Sequence, residues 1–74
     1  MKLVFHIEGI TNSGNNFNGV VETEFDPLEA KVCATKYDDW EMFKDHDPSF
    51  EDMVDLESAI NKKIAHITGV KPIA

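Results

Sequence analysis

DPLEAKVCATKY, residues 26–37, can continue the chain as a helix or as a third strand, and the architecture turns on which it forms. Its first four residues carry a helix start: Asp26 can cap, Pro27 suits the first helical position, and Glu29 can reach back toward the cap. As a helix, the remainder sets Ala30, Cys33, Ala34 and Tyr37 on one face and leaves Leu28 and Val32 on the other. As a strand, it alternates Val32 and Ala34 against Cys33, Thr35 and Tyr37. The cap has a physical mechanism and the alternation is only fair, so the expectation is a helix from 27 to 38. The alternative is a third strand, making a three-stranded meander.

N-terminal to this stretch the pattern has period two. Residues 2–10 set Leu3, Phe5 and Ile7 against Val4, His6 and Glu8, as in a half-buried strand. TNSGNN, residues 11–16, is a run of turn formers in which Gly14 and the asparagines tolerate positive φ. Residues 17–25 alternate again, with Phe17, Gly19, Val21, Thr23 and Phe25 on one side, so the two strands form an antiparallel hairpin.

C-terminal to it, DDWEMFKDHD, residues 38–47, reads as an irregular connection whose Trp40, Met42 and Phe43 are either tucked under it or exposed. A helix is expected over 49–68. Ser49 followed by Asp52, or Asp47 followed by Pro48, supplies the cap, and Asp47, Glu51 and Asp52 lie near the positive end of the helix dipole. Met53, Leu56, Ile60, Ile64 and Ile67 repeat at three and four residues to make an apolar stripe, and Gly69 and Pro72 end it. The whole chain, 1–74, reads as one α+β domain: a hairpin sheet with helices at 27–38 and 49–68, or alternatively a three-stranded antiparallel sheet plus one C-terminal helix.

At 74 residues the core is small, and the single cysteine, Cys33, permits no internal disulfide. The net charge of −7 repels nucleic acid and anionic membranes and attracts basic protein surfaces, so direct nucleic-acid binding is not expected. MKLVFHIEGI is broken by His6 and Glu8 before a signal core forms, and no apolar run approaches membrane-spanning length, so the expected address is the cytoplasm.

Motifs for catalysis are absent: the chain has no GxGxxG, P-loop, GxSxG or HExxH pattern. Neither a catalytic residue nor a cofactor is expected. An EF-hand loop begun at Asp45 meets Phe50 where glycine is needed and Leu56 at its twelfth position. His6, His46, His66 and Cys33 lack ligand-like spacing for zinc, and no metal site is assigned. Cys33, between Val32 and Ala34, reads as a small core thiol.

The chemistry that stands out is acidic. Between Asp38 and Glu57 nine carboxylates face one base, Lys44, and apolar residues interleaved with them mark a folded segment rather than a disordered tail. Like charges so concentrated repel one another, and a basic partner would offset that cost. The expected partner-binding residues are Asp38, Asp39, Trp40, Glu41, Phe43, Asp45, Asp47, Glu51, Asp52 and Asp55, the aromatics acting as anchors between carboxylates. The expected function is a small non-enzymatic inhibitor or adaptor whose carboxylates occupy phosphate positions in the basic groove of a nucleic-acid-binding protein, a DNA mimic. In size and charge the chain resembles short acidic proteins of phages and mobile elements, including anti-restriction and anti-CRISPR inhibitors; the resemblance is compositional and covers no motif. The alternatives are a module that self-associates, as a homodimer for instance, through leftover apolar surface, and a binder of hard cations.

Overall fold

The computed structural model describes residues 1–38, 42–44 and 46–73. It holds strands β1 (Lys2–Ile10), β2 (Asn16–Asp26) and β3 (Lys31–Tyr37), followed by helix α1 (Phe50–Thr68). The strands form one antiparallel sheet in the order β1-β2-β3. This is the α+β class in the second of its two expected layouts: a meander with one C-terminal helix.

The helix expected over 27–38 does not form, and the reason lies in the chemistry that suggested it. Asp26 Oδ1 does accept from the backbone N–H groups of Leu28, at 3.0 Å, and Glu29, at 3.4 Å. Those bonds close an Asx turn as readily as they cap a helix. Ala30 then takes φ 53°, in the left-handed region, and the chain reverses instead of winding on. Residues 31–37 run back along β2, where Val32, Thr35 and Tyr37 suit a pleated surface. Glu24 opposes Ala34 while Phe25 opposes Val32, so Cys33 is the extra residue of a bulge. That bulge breaks the alternation and makes β3 hard to recognise as a strand.

The β1–β2 hairpin turns where expected. Thr11 N–H donates to Asn15 O at 2.9 Å, Gly14 N–H donates to Thr11 O at 2.9 Å, and Gly14 takes φ 89°. At the helix start Ser49 has extended backbone, its hydroxyl accepts from Asp52 N–H, and the Asp52 carboxylate accepts from Ser49 N–H, a complete capping box. Gly69, in the left-handed region, closes the other end by donating to Ala65 O.

One sheet face and one helix face make the core. Phe5 and Ile7 of β1, Phe17, Val21 and Phe25 of β2, and Leu56, Ile60 and Ile64 of α1 are buried together. Met42 and Phe43 join them, and Asn18 N–H donating to Met42 O at 2.9 Å ties Met42 to β2. Of the expected helical stripe, Met53 is partly buried against the core and Ile67 is exposed. The helix backbone comes nearest to β1. It leaves the corresponding face of β3 less covered: Val32 and Tyr37 are half-buried and Thr35 is exposed.

Candidate functional site

Two features meet at the N-terminal end of α1, a buried polar knot and an open apolar groove. The knot is centred on Asp52, whose side chain is 1% exposed. Ser13 Oγ donates to Oδ1 at 3.0 Å, and Asn15 Nδ2 donates to Oδ2 at 3.1 Å. Ser49 N–H donates to Oδ2 at 3.3 Å. His46 Nε2 lies 3.2 Å from the same oxygen, and because an ionised carboxylate only accepts, Nε2 is the nitrogen that carries the proton.

Burial alone would raise the Asp52 pKa, but hydrogen bonds from His46, Thr11, the Ser49 backbone and Ser13 outweigh it and hold the carboxyl well below the usual range. One helical turn on, Asp55 accepts from Asn12 N–H at 2.9 Å and from Asn12 Nδ2 at 3.2 Å. Two helix carboxylates therefore clamp the β1–β2 loop to the helix. The run of asparagines in TNSGNN serves this clamp as well as the turn.

The groove opens beside the knot, between the end of β3, the 42–48 segment and the first turns of α1. It encloses about 550 Å³, and its walls are Tyr37, Met42, Phe43, Pro48, Met53 and Leu56. Asp47 and Lys36 stand at its rim. His46 also borders it, its ring edge-on to Phe43 with centroids 5.6 Å apart. Burial raises the pKa of the Tyr37 hydroxyl, and the negative charge of the Glu57 carboxylate raises it further. Phe50, three residues before the groove-lining Met53 and on the same side of α1, is 84% exposed.

The expected partner-binding residues separate on this frame. Asp38, Asp47 and Glu51 are exposed. Asp55 is half-buried and committed to Asn12. Phe43 and Asp52 are turned inward, Phe43 as part of the core and Asp52 as the centre of the knot, so neither stands on the surface. Asp39, Trp40, Glu41 and Asp45 lie outside the described residues. Tyr37, absent from the expected partner-binding residues, lines the groove. Tyr37 joins it only because residues 31–37 form a strand, which a helical reading hides.

Cys33, expected in the core, is exposed on the β3 bulge. Among the described residues no three His, Cys, Asp or Glu side chains are gathered to hold a metal ion. No helix there is long and apolar enough to cross a membrane. Neither a protein-family model, a curated protein nor a solved structure matches the chain.

Proposed function

We propose that this is a small non-enzymatic interaction protein of the cytoplasm, an inhibitor or adaptor that presents carboxylates to the basic surface of a nucleic-acid-binding protein. The observation that carries this reading is an apolar groove, open among the described residues, with exposed carboxylates near it. Apolar walls give a partner something to bury, and Asp38, Asp47 and Glu57 set a negative field around the entry that steers basic groups toward it. Internal bonds to Ser13, Asn12 and Asn15 fix the start of the helix, so the surrounding charges keep their spacing.

The test compares the wild type with a chain carrying Asp38→Asn, Asp47→Asn and Glu57→Gln. Each is used to retain proteins from nuclease-treated bacterial lysate, and each is then added to the retained protein bound to labelled DNA. The wild type should displace the DNA, less so as salt rises, and the variant should not. Displacement by both chains alike would reject the carboxylate surface as the site of action.

A second reading, self-association, is favoured by Phe50 and Val54, exposed one helical turn apart. Sedimentation equilibrium decides it: a monomer mass at high concentration rejects it, and a dimer mass that Phe50→Ser abolishes supports it.

A further inference from the structure

The mode of partner engagement can be read from the register of β3. Asp38 N–H donates to Val20 O at 3.0 Å, and Tyr37 opposes Val21, Lys36 opposes Glu22 and Thr35 opposes Thr23. In an antiparallel ladder, alternate residues turn both backbone groups toward the partner strand and the others turn both away. Asp38, Lys36 and Ala34 therefore point toward β2, whereas Thr35 and Tyr37 direct N–H and C=O outward. Among the described residues the only additional backbone bond to this side of the meander is from Ile73 N–H to Ala30 O at 2.7 Å, beyond the end of β3. The outer edge from Thr35 to Tyr37 therefore keeps donors and acceptors in a strand-like row.

That edge borders the groove. Thr35 and Tyr37 have their side chains on the sheet face that carries the core, because they lie opposite Thr23 and Val21, which are buried there. A strand added along the edge would set a residue opposite each of them, with its side chain on the same face. Every second side chain of such a strand would stand over the groove between Tyr37 and Met53. Among the described residues the edge is unpaired and the apolar walls are open, and together they make two halves of one receptor for an extended chain.

Charge selects the occupant. Asp47 lines the groove, Asp38 follows the edge directly, and the Glu57 carboxylate acts electrostatically on the groove-lining Tyr37. Lys36, the cation at this end of the strand, points toward β2 with its backbone and has its ammonium 4.0 Å from Asp38. A second copy would bring another net −7 against the same surface, and Lys31 and Lys36 on both edges would also repel. A partner segment with an apolar residue flanked by bases fits better.

Resting on the interaction reading above, we propose that the partner binds as an extended basic segment, adding a strand to the outer edge of β3 and setting an apolar side chain into the groove.

The probe is a synthetic peptide, Lys-Thr-Leu-Thr-Lys with blocked ends, which puts leucine and both lysines on one face of a strand. Binding is read by NMR titration, with amide hydrogen exchange at Thr35 and Tyr37 measured with and without the peptide. These two amides should become protected, by about tenfold or more, while Lys36 changes little. Methylating the leucine nitrogen removes the backbone donor opposite the edge without altering charge or side chains, and should weaken binding by about tenfold. Thr35→Pro should do the same from the protein side, because it removes an outward N–H and no ladder bond.

Binding that depends on Asp38, Asp47 and Glu57 but leaves Thr35 and Tyr37 unprotected, or is indifferent to the methyl group, overturns strand addition and leaves the acidic-surface reading intact. Absence of binding, or binding equally strong with a Glu-Thr-Leu-Thr-Glu peptide, overturns both. Protection of the two amides without peptide, rising with protein concentration, makes a second copy the occupant and also overturns the proposal.

Discussion

Thr23 lies on the inner face of β2 between Val21 and Phe25, is 1% exposed, and its hydroxyl has no hydrogen-bond partner among the described residues. A buried hydroxyl without a partner has lost its hydration with nothing in return, a cost of about 1–3 kcal/mol. Thr23→Val keeps the β-branched shape that the strand favours and replaces that oxygen by a methyl group. Such a change ordinarily destabilises because it discards a hydrogen bond. Here no bond is discarded, so the expected effect is stabilisation by about 1–2 kcal/mol. For a chain of this length that corresponds to a rise in melting temperature of roughly 4–8 °C per kcal/mol.

Thr23→Ser supplies the internal control, because it keeps the hydroxyl and deletes the methyl. It should destabilise by about 1 kcal/mol. Urea denaturation followed by circular dichroism at neutral pH measures both, with the slope of the transition checked for constancy. A Val variant equal to or less stable than wild type would refute the reasoning, since it would mean the hydroxyl makes a bond worth at least its own desolvation.

The remaining expectations concern the helix and its carboxylates. Leu56→Ala, at a site 1% exposed in the centre of the core, should cost about 2–5 kcal/mol in the same denaturation assay. Ser49→Ala removes one half of the capping box and should cost about 1 kcal/mol. Asp52 has its folded pKa depressed, so the stability it contributes is fully present above its unfolded value of about 4 and is lost as pH falls below that. Melting temperature against pH should therefore decline on the acid side, and Asp52→Asn should flatten that decline while lowering stability at neutral pH. At neutral pH, Asp52→Asn alone should destabilise more than Asp38→Asn, Asp47→Asn and Glu57→Gln combined, which calorimetry on the two proteins checks.

Much of this fold is legible in the sequence because its local signals agree with its tertiary demands. Strands β1 and β2 alternate cleanly over a buried face, and α1 is announced by Ser49 and Asp52 and ended by Gly69. At β3 the signals conflict. Asp26 makes the same side-chain bonds to the next N–H groups in a turn as at a helix start, so its presence does not discriminate. The residue that does discriminate is Ala30 at φ 53°, and alanine gives no hint of a left-handed conformation where glycine or asparagine would. The Asp52 knot is equally hidden. Its loop donors Ser13 and Asn15 lie 39 and 37 residues away, and nothing local distinguishes a cap carboxylate that faces water from one that anchors a loop. The groove depends on both, since it needs β3 beside it and the helix start fixed by the knot.

Seen from the carboxylates, the acidic stretch has two physically distinct populations. Asp52 and Asp55 are satisfied within the fold; the loop donors from Ser13, Asn12 and Asn15 are neutral, and His46 beside Asp52 adds a positive charge only when protonated. Neutral donors satisfy lone pairs but cancel no charge, so the field of those two carboxylates still reaches the surface and adds to that of Asp38, Asp47, Glu51 and Glu57. The chain has no arginine, and its seven lysines are too few and too scattered to neutralise that end of the molecule. Clamping the β1–β2 loop with acids and amides, rather than with ion pairs, thus holds the helix start in place while leaving its negative potential unspent. That combination lets one short segment clamp a loop and still present a negative potential, the property on which the proposed engagement of a basic partner rests.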